Sequence, residues 1–242
     1  MLTKIKWQIA LISVFFSLFS SLSATGNELS INLKNSIERD YSNRLEGLFK
    51  DFHANPELST VEFKTAGKLA EQLRTHGFEV TEGIGGTGVV AILKNGPGPL
   101  VMMRADMDGL PIKEKTDLAY ASKVEQLDPF SKLLSPVMHA CGHDVHMACL
   151  LGAIEALQSD PSLSKRVYFI FQPHEEVLPG GAQLMIDEGL FERFPIAKLV
   201  GLHVSPELEA GVIGYCAGPF MAASDEIRVT FESKGGHAAR PH

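Results

Sequence analysis

Hydrophobic residues are spaced in two different ways along this chain. In some segments they recur every three or four positions, which is the spacing of an amphipathic helix. In others they form short, nearly continuous runs, which indicate buried strands. The predicted helices cover about residues 37–52, 60–76, 144–158 and 180–190, and the predicted strands cover about 78–82, 88–94, 99–105, 166–171 and 198–204.

The alternation of these helices and strands predicts an α/β fold, in which a mixed, mostly parallel sheet is covered by helices on both faces. In such sheets, ligands bind at the loops that follow the carboxyl ends of the strands. The loops after three predicted strands carry side chains suited to metal binding or acid–base chemistry, namely Asp106, Glu175, Glu176 and His203. The order of the strands therefore predicts a functional site at their carboxyl ends.

Particular residues support the first two helices. Their apolar stripes consist of Ile37, Tyr41, Leu45, Leu48 and Phe52 in the first, and of Phe63, Ala66, Ala70 and Leu73 in the second. Ser59 and Glu62 have the spacing of a capping box at the start of the second helix, and Gly77 predicts its end.

The glycine-rich segment from Gly83 to Gly88 matches the pattern of a dinucleotide-binding loop. Such a loop leads directly into a helix, whose N-terminus meets the pyrophosphate. The residues that follow, 89–93, are strand sequence instead. We therefore predict a turn between two strands.

Two short segments concentrate the side chains that bind borderline metals. MHACGHD contains Cys141 and His143 on either side of a glycine, and QPHEE ends in Glu175 and Glu176. Thiolate, imidazole and carboxylate are typical ligands of Zn²⁺. Of two adjacent glutamates, one can bind the metal while the other acts as a general base. The sequence therefore favours a metal-dependent hydrolase.

Further polar residues are expected around these ligands. His203, at the end of a strand, is predicted to be another ligand. Asp106 and Asp108 are predicted to orient ligand histidines, because metal-bound imidazoles usually donate their second N–H to an acceptor. Three more histidines, His139, His146 and His174, are expected to have structural roles or to surround the ligands without binding the metal.

The net charge and the N-terminal sequence indicate which partners and which location to expect. The net charge is −7 and the basic residues form no cluster, so nucleic acid is not expected as a partner. Residues 1–24 combine two lysines, an apolar run and small residues, which predicts a signal peptide and export to the periplasm or the extracellular space. No stable membrane span is expected after cleavage, and an N-terminal anchor is the alternative.

Three cysteines are few for an exported protein. Cys141 is predicted to be a metal ligand because it lies within the histidine-rich segment. Cys149 is predicted to be packed as an apolar residue, and Cys216 to lie in a strand. The sequence does not decide whether Cys149 and Cys216 form a disulfide.

Five motifs in order resemble the amidohydrolase branch of the aminoacylase/carboxypeptidase superfamily, which includes hippurate hydrolases, N-acyl-amino-acid amidohydrolases and auxin-conjugate hydrolases. They are RADMDGLPI, MHACGHDVH, FQPHEE, GLHVSP, and GPFMAASD with GGHAARPH, and the resemblance covers roughly residues 44–242. It implies that the ligands of a two-metal site are Cys141, His143, Glu176 and His203. It also implies that Glu175 is the general acid/base and that His237, from a lid domain, polarises the scissile carbonyl.

The resemblance implies a domain organisation as well. Residues 36–220 would form an incomplete catalytic domain, and residues 221–242 the beginning of a lid and dimerisation domain, with a predicted strand at 227–231. A final ligand histidine and most of the lid are expected to lie beyond residue 242. Two residues depart from the family pattern: His174 stands where a small residue is usual, and Cys216 stands where arginine is common.

The function expected from these features is hydrolysis of the amide bond of N-acyl amino acids by a homodimer or higher homo-oligomer. Two divalent ions per subunit are expected, zinc or manganese, with cobalt or nickel as further options. Two alternatives stay open: a hydrolase with Cys141 as nucleophile, and a secreted metal-binding protein without catalysis.

Overall fold

The computed structural model describes residues 33–96, 100–158 and 165–219, together with Ile31 and scattered positions from 221 to 239. Their contacts divide the chain into two compact units, Met1–Val204 and Ser205–His242. The predicted signal peptide lies outside the described residues, and the domain border near residue 220 stays a prediction. No helix in these ranges is long and apolar enough to cross a bilayer.

The described strands are β1 (Glu79–Ile84), β2 (Gly88–Asn95), β3 (Leu100–Asp106), β4 (Glu125–Leu127), β5 (Leu134–Pro136), β6 (Lys165–Gln172) and β7 (Lys198–Gly201). Five of them form one sheet in the order β1-β2-β6-β3-β7, while β4 and β5 form a separate hairpin. β2 is antiparallel to β1 and β6, whereas β3 is parallel to β6 and β7. The mixed sheet is confirmed, although only half of its four pairings are parallel.

The helices cover both faces of this sheet, as predicted. They are α1 (Glu46–Ala54), α2 (Phe63–Thr75), α3 (His143–Gln158), α4 (Gly181–Asp187) and α5 (Leu190–Arg193), and a wider helical turn, Tyr41–Leu45, leads into α1. Phe169 and Phe171 of β6 pack with α1, α2 and α3 on one face. Tyr168 and Ile170 point to the other face and pack with α4 and α5. Period-two alternation along β6 thus divides the core into two layers.

Several local predictions about helices are wrong. Ile37, Tyr41 and Phe63 are exposed rather than part of a buried stripe. The predicted helix 180–190 is broken into α4 and α5 around Gly189, which has a φ of +84°. Gly77 does end α2, with a φ of +80°, as expected.

The capping box at the start of α2 is also wrong, since no side chain at its N-cap makes a capping hydrogen bond. The carboxylate of Glu57 instead accepts the backbone N–H of Thr65 at 2.7 Å and that of Lys64 at 3.2 Å. Ser59 and Glu62 are thereby left free for contacts with distant loops.

The glycine-rich segment is the turn between β1 and β2, as predicted. A Cβ on Gly88 would lie 2.2 Å from the backbone oxygen of Ile84, and one on Gly85 would lie 2.6 Å from the Met185 side chain. Glycine is required here because the turn packs tightly against itself and against α4.

Two of the three cysteines and the predicted strand at 227–231 depart from expectation. Cys149 and Cys216 are exposed, and all three cysteines are free thiols. Cys216 lies outside any strand, and so do the described positions 227, 229 and 230. Positions 228 and 231 of the predicted strand lie outside the described residues.

His53 joins three parts of the chain near the end of α1. Its Nδ1 lies 2.7 Å from Asp144 Oδ2 in α3, and its Nε2 lies 2.9 Å from Glu114 Oε1 in the loop after β3. Burial alone would lower the pKa of His53, but the hydrogen bonds to both carboxylates outweigh it, and the pKa is raised. The charged imidazolium therefore stabilises the fold.

We predict that His53→Gln lowers the free energy of unfolding by about 1–3 kcal/mol. The loss should be full below about pH 6.5, where the imidazolium is charged in both the folded and the unfolded chain, and should fade as pH rises through the raised folded pKa. Urea unfolding at about pH 6 and about pH 9 checks this. His76→Gln, at a more exposed ion pair with Glu155, is the control. An equal loss at both pH values would contradict the prediction.

Candidate metal centre

The predicted strand-end residues come together at one edge of the sheet, because β3, β6 and β7 are parallel neighbours. Asp106 ends β3, the loop after β6 carries Glu175 and Glu176, and His203 follows β7. α3 begins beside them with His143.

His143 is the centre of the cluster. Its ring is fully buried, and its Nδ1 lies 3.3 Å from Asp108 Oδ1. Its Nε2 lies 3.6 Å from Glu176 Oε1 and 3.9 Å from Glu175 Oε2. Burial would lower the pKa of His143, but the surrounding carboxylates outweigh it and raise the pKa. Nε2 thus faces an environment that favours a positive charge.

Cys141 and His203 form the second part of the cluster. Cys141 Sγ lies 3.3 Å from His203 Nε2, and His203 Nδ1 donates to the carbonyl oxygen of Val204 at 2.7 Å. The other ring nitrogen, Nε2, therefore faces the sulfur. Burial and the neighbouring Glu176 raise the pKa of the Cys141 thiol to about 12, so a cation is needed to make it a thiolate at neutral pH.

Asp106 and His146 are hydrogen-bonded to each other. His146 Nε2 accepts the backbone N–H of Val204 at 3.0 Å, so its proton is on Nδ1, which donates to Asp106 Oδ1 at 2.5 Å. Arg104 Nη1 lies 2.7 Å from the other oxygen of Asp106. Burial would raise the pKa of Asp106, but His146 and Arg104 lower it to about 2. Asp106 therefore orients His146.

Asp108 connects the candidate ligands to each other. Its Oδ1 faces His143, while its Oδ2 accepts the Ser59 hydroxyl at 2.6 Å and the backbone N–H of Glu176 at 3.1 Å. Burial would raise the pKa of Asp108, but these donors lower it. One charged carboxylate thus orients an imidazole and positions a glutamate.

Among the described residues, three groups of ligand atoms lie close enough to hold an ion: Cys141, His143 and His203; Asp106, His143 and His146; and His143, Glu175 and Glu176. The second group is already satisfied by the internal hydrogen bond between Asp106 and His146. In the other two, His143 Nε2 and Glu176 Oε1 are buried and have no hydrogen-bond partner within the described part of the chain. A divalent cation would satisfy both atoms, and the mixed thiol, imidazole and carboxylate donors fit a borderline metal.

Three further histidines that the structure describes lie outside these groups. His139 is buried, and burial lowers its pKa to about 4, so the ring is neutral. His174 is also buried, and its ring stacks on Phe130. His237 belongs to the second unit, where it is exposed and accepts the backbone N–H of Ala239.

Sequence reasoning missed two contributors to the centre. Arg104 carried a signal, because it is a charged residue within an otherwise apolar strand. Ser59 carried none, because its spacing to Glu62 fits a helix cap equally well. Only the tertiary fold directs its hydroxyl to Asp108.

A cluster of thiol, imidazole and carboxylate groups around a buried histidine, at the carboxyl edge of an α/β sheet, defines the class of metal-dependent hydrolases. The chain belongs to peptidase family M20/M25/M40, whose model matches residues 102–241, more than half of its length.

Known proteins resemble the chain over most of its length. An N-acetyl-L-cysteine deacetylase from Bacillus subtilis is 39% identical over 224 residues, which are 90% of this chain and 50% of that protein. A hippurate hydrolase from Campylobacter jejuni is 40% identical over 203 residues, or 84% of this chain and 50% of that protein. A solved dinuclear metal-binding peptidase of family M20 from B. subtilis has a TM-score of 0.61 and 36% identity, covering 70% of this chain and 45% of that one. The chain thus spans about half the length of the curated relatives it matches.

We predict that Asp108→Asn weakens metal binding roughly 10- to 100-fold, because the second hydrogen-bond partner of a ligand imidazole sets its orientation and basicity. Titration of the purified protein with Zn²⁺ against a competing chelator measures the affinity. Asp117→Asn, at an exposed carboxylate, is the matched control and should bind like the wild type. Unchanged affinity in the Asp108 variant would contradict this role.

Proposed function

We propose that this chain is the metal-binding part of an amidohydrolase that cleaves N-acyl amino acids into a carboxylic acid and an amino acid. The observation that carries the proposal is the different environment of two adjacent glutamates. The Glu176 side chain is 17% exposed and lies nearer His143, whereas that of Glu175 is 38% exposed. The buried carboxylate suits metal binding, and the accessible one suits proton transfer with water and substrate.

The substrate class is supported by the relatives. Those with about 40% identity include a hippurate hydrolase and deacetylases of N-acetyl-L-cysteine and N-acetyldiaminopimelate. These substrates share an amide bond between an acyl group and an amino acid. We propose the same bond for this protein and leave the acyl group open.

The proposed ligands of two divalent ions are Cys141, His143, Glu176 and His203. Zinc or manganese is proposed, with cobalt or nickel as further options. Support for two ions comes from the B. subtilis peptidase, which is described as dinuclear. When bound, the ions would act as Lewis acids on the amide carbonyl and on the attacking water.

The protein's own groups would move the proton. Glu175 takes a proton from water as the water oxygen attacks the amide carbon, and gives that proton to the nitrogen as the C–N bond breaks. On the family resemblance, His237 would donate a hydrogen bond to the developing oxyanion. Export to the periplasm or beyond, and a homodimer or higher homo-oligomer, belong to the same proposal.

A second candidate is a thiol hydrolase, because Cys141 Sγ lies 3.3 Å from His203 Nε2. A thiol nucleophile needs a lowered pKa. The pKa of Cys141 is instead raised to about 12, by burial and by neighbouring carboxylates. The metal-ligand role therefore fits this cysteine better.

We predict that Glu175→Gln lowers kcat for hippurate about 10²- to 10⁴-fold, because it removes the general base. The metal content, measured by elemental analysis, should stay at the wild-type level. Glu192→Gln, which changes an exposed glutamate on α5, is the control and should leave both quantities unchanged. The assay uses the full-length protein, and an active Glu175 variant would show that another group is the base.

Chelation and alkylation should separate the two candidate chemistries. We expect a chelator to abolish hydrolysis of an N-acyl-amino-acid panel, and added metal to restore it. Iodoacetamide should have little effect on the metal-loaded protein, because a coordinated thiolate is protected. Loss of activity on alkylation together with resistance to chelators would favour the thiol nucleophile. Bound metal without hydrolysis of any substrate would favour a non-catalytic protein.

A further inference from the structure

The hairpin outside the main sheet reaches the loop that carries the two glutamates. Phe130 lies in the turn between β4 and β5, where the Asp128 carboxylate accepts its backbone N–H at 2.7 Å. The Phe130 ring stacks on the His174 ring, with centroids 5.8 Å apart and an angle of 11° between the planes. The hairpin therefore covers the residue that immediately precedes Glu175.

His174 has a backbone conformation that residues with side chains rarely adopt, with a φ of +52°. Hydrogen bonds hold both the backbone N–H and the carbonyl oxygen of His174. Its N–H donates to Glu62 Oε1 at 2.8 Å, and its carbonyl oxygen accepts the N–H of Gly181 at 2.6 Å. Strained conformations of this kind persist where the surrounding structure holds them, and they occur often at functional sites.

Glu62 is itself fixed. Its side chain is fully buried, and its second oxygen accepts the hydroxyl of Thr87 at 2.7 Å. The His174 ring is only 3% exposed, and its Nδ1 makes no hydrogen bond within the described residues. Stacking on Phe130 thus helps to orient the ring, while the hydrogen bond to Glu62 holds the backbone.

We infer that Phe130 and Glu62 are positioning residues that hold His174 in its left-handed conformation and so fix the backbone from which Glu175 projects. Asp108 fixes the next part of the loop through the N–H of Glu176. The kinetic consequence rests on the proposed function of Glu175. A misplacement of about 1 Å can cost about 100-fold in rate, so a ring on a separate hairpin can govern turnover.

Kinetics of the full-length protein test the effect on Glu175. Phe130→Ala should lower kcat for hippurate roughly 10-fold or more, with KM and the melting temperature close to wild type. Phe130→Trp keeps an aromatic ring on His174 and should retain most of kcat. Leu133→Ala, at a leucine of the same turn that is 66% exposed, is the matched control. A rise in KM that grows with acyl size, at unchanged kcat, would mean that Phe130 contacts substrate and would overturn the inference.

Hydrogen exchange of the peptide that contains the His174 amide tests the positioning without activity. Phe130→Ala and Glu62→Ala should speed exchange of this amide about 10-fold or more, because the hydrogen bond to Glu62 opens more often or is lost. Phe130→Trp, Glu62→Gln and Leu133→Ala should exchange like the wild type. Wild-type exchange in Phe130→Ala would overturn the inference even in an active enzyme. A wild-type protein that hydrolyses no N-acyl amino acid would instead refute the proposed function, and the exchange rates would still decide the positioning.

Discussion

Negative charge gathered around one buried imidazole is the constraint on which the rest of the structure depends. The carboxylates that approach the ring of His143 belong to Asp106, Asp108, Glu175 and Glu176. Buried like charges are unstable unless donors or cations offset them. Arg104 and His146 do so for Asp106, and a hydroxyl and a backbone N–H do so for Asp108. Glu176 Oε1 has no hydrogen-bond partner among the described residues, which explains why the cluster suits divalent ions.

Hydrogen bonds between distant parts of the chain tie this cluster to the fold. Ser59 reaches Asp108 across 49 positions, and Glu62 reaches His174 across 112. In each of these hydrogen bonds, one partner lies just before α2 and the other lies in a loop that follows a strand of the sheet. The segment before α2 therefore supports the centre, and loss of its docking would disturb the geometry of the centre as well as the core.

The sequence predicted the parts of the site that depend on regular structure. Parallel strands bring their carboxyl ends to one edge, so Glu175, Glu176 and His203 could be placed together from strand positions alone. Ser59 and Glu62 could not be assigned, because a capping box and a tertiary contact have the same local spacing. The hairpin that carries Phe130 was missed because strands of three residues are too short to show a period. Its stacking on His174 depends on tertiary packing that no local pattern encodes.

β7 lies at one edge of the described sheet. It pairs with β3 alone among the described strands, and its four residues are all exposed, including Leu199 and Val200. A strand edge with apolar side chains is a template on which a further strand can add. Its shortness limits that template to a few hydrogen bonds, and Lys198 places a charge at one end. β7 is therefore the place where a further strand would extend the described sheet.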